Sequence, residues 1–105
     1  MAEIIWSPSS IKDINAIAEY IAKDSLMAAK NMVELFFQKA EILSRFPLYG
    51  KQVPETKNPF IREILVGRYR IIYEAFSEER VNILTVHHQS RLLKNNPSVK
   101  RRIRK

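Results

Sequence analysis

The sequence predicts an α+β fold in which a helical hairpin lies on one face of a small, mostly antiparallel sheet. Three observations predict it. Apolar residues recur at three- and four-residue steps before Pro47 and alternate after Phe60. A stretch containing Pro47, Gly50, Pro54 and Pro59 separates the two periods. The chain has 105 residues, 46% hydrophobic content and no cysteine, enough for one domain that buries its core without disulfides.

Each element follows in order. Residues 3–7, Glu-Ile-Ile-Trp-Ser, are rich in β-branched and aromatic types and predict a short first strand. Ser7-Pro8 supplies a hydroxyl cap and a proline at the first helical position. Ile11, Ile14, Ile17, Ala18 and Ile21 then share one side, and Lys12, Asp13, Glu19 and Lys23 the other, which predicts a helix over 8–23. Asp24-Ser25 offers a second cap. Leu26, Ala29, Val33, Phe36, Ala40 and Leu43 repeat the spacing and predict a second helix over 25–46. Ile14, Ile17, Val33 and Phe36 are the expected core. Residues 47–59 are expected to be a loop. Phe60–Val66, Tyr69–Phe76 and Arg80–His88 predict three consecutive antiparallel strands joined by tight turns. The order is βααβββ.

The strands are apolar on both faces. Ile71, Tyr73 and Ala75 alternate with Ile72 and Phe76, and Val81 and Ile83 with Leu84 and Val86. Two helices cover only one face, so the second is expected to be covered by the C-terminal segment or by a partner protein.

Charge divides the chain. Residues 94–105 hold six basic residues and no acid, which leaves twelve basic against eleven acidic residues in 1–93. The domain is therefore assigned to 1–93 with a charge of +1, and 94–105 to a basic tail, helical or disordered. Such a tail suits an acidic partner, a nonspecific nucleic-acid contact or plain solvation. No apolar run is long enough to span a membrane and no signal-peptide pattern opens the chain, so a cytoplasmic protein without membrane association is expected.

The residues offer little classical chemistry. Two glycines cannot build a phosphate-binding or dinucleotide loop, and no Gly-x-Ser-x-Gly occurs. His87 and His88 are adjacent on a strand, point to opposite faces and cannot share an ion. No metal or cofactor is expected. A cationic, aromatic strand surface remains. Arg62, Arg70 and Arg91 could converge on a phosphate or an acidic side chain, with His87 as a general acid. Against this stand a salt bridge from Arg70 to Glu63 or Glu74, and a hydrogen-bonded His87 at a strand end.

At these residues the chain resembles the RelE/ParE superfamily of type II toxins. Trp6-Ser7-Pro8, Asp13-Ile14 and Tyr20-Ile21-Ala22 are similar to its first half, and Arg45-Phe46-Pro47-x-x-Gly50 to its helix-ending motif. Ile61-Arg62-Glu63-Ile64 with Tyr69-Arg70-Ile71-Ile72-Tyr73-Glu74 resembles the central hairpin. Val86-His87-His88-Gln89-Ser90-Arg91 resembles the last strand. The resemblance spans residue 4 to about 93. It implies a small α+β toxin, free as a monomer or homodimer, that is neutralised by a cognate antitoxin.

The superfamily has two activities. ParE-like members poison DNA gyrase, and RelE-like members cut mRNA in the ribosome. Arg70 matches the strand arginine that the RNA-cleaving branch sets on phosphate. Gln89 stands where that branch has a further arginine, Asn95 where it has a late tyrosine, and no tyrosine follows Tyr73. His87 with Arg91 resembles the ParE-like ending. The resemblance thus implies a gyrase-binding toxin, with Arg62, Arg70, His87, Arg91, Lys100, Arg101 and Arg102 as target-contacting residues. The alternative is a ribosome-dependent mRNA endoribonuclease using Arg70, His87 and Arg91.

Overall fold

The computed structural model describes residues 1–103. Ser7 begins the fold as a two-sided cap. Its hydroxyl accepts from the Ser10 N–H at 3.0 Å and donates to the Leu84 carbonyl at 3.1 Å. The helix start is thereby fastened to the sheet. Strand β1 (Glu3–Trp6) leads into helix α1 (Pro8–Ala22), and the Ser25 hydroxyl accepts from Ala28 to cap α2 (Leu26–Ala40).

A turn of 3-10 helix, Glu41–Ser44, ends the hairpin. The expected second helix over 25–46 is therefore shorter in its α-helical part. Pro47 bars the preceding residue from helical geometry, and the last turn tightens ahead of it. Strands β2 (Lys51–Gln52), β3 (Ile61–Val66), β4 (Tyr69–Ser77) and β5 (Arg80–His88) follow. The two-residue β2 lies within the expected loop, and its polar Lys51-Gln52 carries no apolar signal.

The five strands form one sheet in the order β1-β5-β4-β3-β2. All neighbours are antiparallel except β1 and β5, which run parallel with Glu3 opposite Arg80. The fold class is the α+β arrangement expected. The helices cover one face. Ile14 and Phe36 are buried there with Ile64, Val66, Ile71, Tyr73, Val81, Ile83 and Val86, while Ile17 and Val33 pack against this core partly buried. An irregularity in the β4–β5 register near Leu84 carries Val86 onto the same side as Ile83.

On the opposite face the C-terminal segment is the cover, the first of the two alternatives expected there. Val53, Ile61 and Ile72 form a second buried cluster with Leu93 and Val99, and Ile103 packs against it. Ile103 also bridges to Thr56 in an isolated antiparallel pair. The segment 93–103 thus folds over the sheet as two short 3-10 turns, Leu93–Asn95 and Lys100–Arg102, instead of fraying. Its leucine, valine and isoleucine supply the apolar cover that was also assigned to a partner. Arg104 and Lys105 lie outside the described residues.

Candidate functional site

The cationic residues singled out on the strands divide between the two faces. Arg62 lies opposite Tyr73 on β4, on the helix-covered face, whereas Arg70 lies opposite Leu65 on β3 and His87 on β5. Positions 62 and 65 differ in parity on one strand, so Arg62 and Arg70 point apart. They do not converge.

Arg62 is occupied by the chain itself. Its Nε donates to the Pro59 carbonyl at 2.7 Å and its Nη1 to the Gly50 carbonyl at 3.1 Å, holding the proline-rich loop to β3. The Gly50 N–H donates in turn to the Tyr73 hydroxyl at 2.8 Å. A Cβ on residue 50 would stand 2.5 Å from the Glu63 carbonyl oxygen, so only glycine fits this approach. Gly50 therefore serves packing.

Burial pushes the Tyr73 phenol above its ordinary value of 10.0, and the Gly50 hydrogen bond and the Arg62 charge oppose that rise. Between the unfolded and folded values the native state holds a proton that the unfolded chain has lost. Stability from this group is therefore complete below about pH 10 and declines as pH rises through the folded value. Thermal melts between pH 9 and 11 (about 1 unit on either side of the reference value) should show a loss that Tyr73→Phe does not share. Equal losses in both proteins would place the effect elsewhere.

Arg70 is held by two carboxylates. Its Nη1 and Nη2 donate to Glu55 at 3.1–3.2 Å, and its Nε lies 3.3 Å from Glu63 Oε1. The Glu63 contact is one of charge, since neither Nε nor Oε1 has a directed hydrogen bond. Only 13% of the Arg70 side chain and 3% of the Glu63 side chain are exposed. Lys51 Nζ, 3.7 Å from the other Glu63 oxygen, adds a second positive charge. Glu63 was foreseen as a partner, whereas Glu74 instead lies 3.8 Å from Arg102.

His87 is equally engaged. The Asn96 Oδ1 accepts from the Ser98 N–H, which orients the amide so that its Nδ2 donates to Thr85 Oγ1 and to His87 Nδ1. Nδ1 is then an acceptor, and Nε2 carries the proton that it donates to the Arg91 carbonyl at 2.9 Å. Thr85 in turn donates to Asp13 on α1, whose carboxylate also accepts from the Val86 N–H at 3.1 Å. Asp13 thereby caps the edge of β5 just past the end of β1. His88 turns to the opposite face, edge-on to Tyr69 at 5.1 Å and hydrogen-bonded to Ser90.

Arg91 meets His87 only through its backbone, and its side chain is exposed. Lys100, Arg101 and Arg102 stand on the last 3-10 turn, on the surface. Arg91 also lines an open groove of about 910 Å³ between α1 and the C-terminal segment, with Lys12, Tyr20, Tyr69, His88 and Asn95. Sequence reasoning assigned no role to Glu55, Asn96 or Asp13. Glu55 lies in a loop without period, and Asn96 gives no signal until the tail is folded. Asp13 was part of a quoted motif.

Among the described residues no helix is long and apolar enough to cross a membrane. Residues 4–93 match the family described as the ParE toxin of type II toxin–antitoxin systems, parDE. The toxin RelE2 of Caulobacter vibrioides is 28% identical over 92 residues, which cover 88% of this chain and 100% of that protein. A structure titled as the chromosomal ParDE system from P. aeruginosa superposes with a TM-score of 0.69 at 16% identity, covering 84% of this chain and 96% of that one. A YoeB/ParE toxin from Agrobacterium tumefaciens does so at 0.53 and 19%, covering 84% and 98%. These two share the fold. The family match spans both helices and the sheet up to Leu93, and the chain therefore belongs to the ParE family of toxins, the toxin half of a type II toxin–antitoxin pair with a cognate antitoxin as its partner.

Proposed function

We propose that the protein is a binding toxin that traps DNA gyrase and is not a ribonuclease. One observation carries this reading: the strand arginine and the histidine suited to phosphate chemistry are both committed to partners inside the chain. An arginine that stabilises charge in a transition state needs donors aimed at the place where that charge develops. The Arg70 donors are aimed at Glu55 and Glu63. A general acid must reach the leaving group with its proton. The His87 proton is donated to the Arg91 carbonyl. Target contact then falls to exposed groups near the end of β5 and on the tail: Arg91, Lys100, Arg101 and Arg102.

The RelE-like alternative, a ribosome-dependent mRNA endoribonuclease, draws on one specific observation. Arg70 and His87 face each other across β4 and β5. Opening the Glu55 contact would leave both on one side of the sheet. Purified protein supplied in parallel to gyrase with plasmid DNA and to translating ribosomes separates the two. Gyrase-dependent DNA breaks with intact mRNA are expected. Site-specific mRNA cuts made by the wild type and lost in Arg70→Lys, which keeps the charge, would reverse the assignment.

A further inference from the structure

The geometry points to a phosphodiester-binding site between Lys57 and the last turn of the C-terminal segment, through which the protein holds duplex DNA without regard to sequence. Lys57, Asn58, Pro59, Ile61, Arg101 and Arg102 line a depression of about 390 Å³ on the sheet face away from the helices. Lys57 and Arg101 are exposed, and neither joins an ion pair among the described residues. Arg102 donates to the Ser98 carbonyl and lies 3.8 Å from Glu74, a long contact that leaves most of its donors unused. Asn58 Oδ1 accepts from the Phe60 N–H, and its Nδ2 has no acceptor among the described residues. Lys57 and Arg101 thus stand beside Arg102 with the single Glu74 carboxylate against three positive charges, and a further anion relieves their mutual repulsion.

Two features set the type of anion. The cations are pinned: Val99 is fully buried, and Ile103 pairs with Thr56, one residue before Pro-rich loop position 57. Binding therefore orders less chain than a frayed tail would require. Among the described residues no aromatic ring lines the depression, so they offer no platform there on which unpaired bases could stack. Backbone phosphates of a duplex fit it better than a single strand. The charge distribution agrees, because the basic excess of the chain resides in this segment.

Affinity of the full chain for a short fluorescent duplex, followed by anisotropy over a salt series, tests the site. Each phosphate contact contributes about 0.9 to the slope of log affinity against log salt. The triple variant Lys57→Gln, Arg101→Gln, Arg102→Gln should make that slope shallower by roughly 2–3 and weaken binding at low salt. Lys30→Gln with Lys39→Gln, on the exposed side of α2, should leave it unchanged, and melting temperatures confirm that both variants fold. Wild-type protein that fails to bind the duplex at low salt overturns the site, as does an unchanged slope in the triple variant. So does equal or tighter binding of a single strand or of polyglutamate of the same charge. Because DNA affinity is read directly, the result is independent of whether gyrase is the target.

Discussion

Arg70→Ala should lower the stability of the folded protein by about 3 kcal/mol in urea unfolding, whatever it does to toxicity. Removing the guanidinium leaves the Glu63 carboxylate, 3% exposed, beneath the sheet surface. Breaking one side of a buried pair costs roughly 3–5 kcal/mol because the other charge stays desolvated. The lower end applies here, since Lys51 remains 3.7 Å from Glu63 and is itself 64% exposed. Replacing both partners with apolar residues of similar size, Arg70→Met with Glu63→Leu, should recover most of the loss. A double variant as unstable as the single one would mean that the pair is not what Arg70 contributes. A toxin inactivated by Arg70→Ala consequently says nothing about catalysis until its fold has been measured.

The second large effect belongs to the other face. Phe36 is fully buried on α2 and meets Tyr69 edge-on at 5.6 Å, at the centre of the cluster that joins helix hairpin to sheet. Phe36→Ala should cost about 3–5 kcal/mol through lost transfer energy and the cavity left behind. Val33→Ala, one turn earlier and only partly buried, should cost less. Comparable losses at the two positions would show that the helices do not pack as described.

The fold was legible because each element carries its own period and punctuation. Ser7-Pro8 and Ser25 cap helices as their types dictate, and the alternation after Phe60 becomes three strands. What stayed hidden lacked local pattern. Lys51-Gln52 joins the sheet through backbone bonds and the Lys51–Glu63 ion pair, with no apolar side chain to signal it, and Leu93, Val99 and Ile103 are too widely spaced to announce a packing face. The two-faced apolar character of β4 was read correctly, yet nothing local could decide between tail and partner as its cover.

The candidate site was legible in residue type and not in arrangement. Arg62, Arg70 and His87 were found by chemistry, but strand parity separates Arg62 from the others once the register is known. Two of the partners that engage Arg70 and His87, Glu55 and Asn96, come from segments that no periodicity places. Long-range pairing of this kind depends on the whole chain.

The parallel pairing of β1 with β5 has a consequence for biosynthesis. Glu3 meets Arg80, so the first strand made waits unpaired until the last strand has left the ribosome. At about 5–20 residues per second, that interval is several seconds or more. The apolar cover from Leu93 to Ile103 emerges later still. A nascent chain stalled before that point leaves Ile72 and Ile61 without the Leu93 and Val99 side chains that bury them. Translation that stops before Leu93 therefore yields fragments in which the second buried cluster lacks its cover.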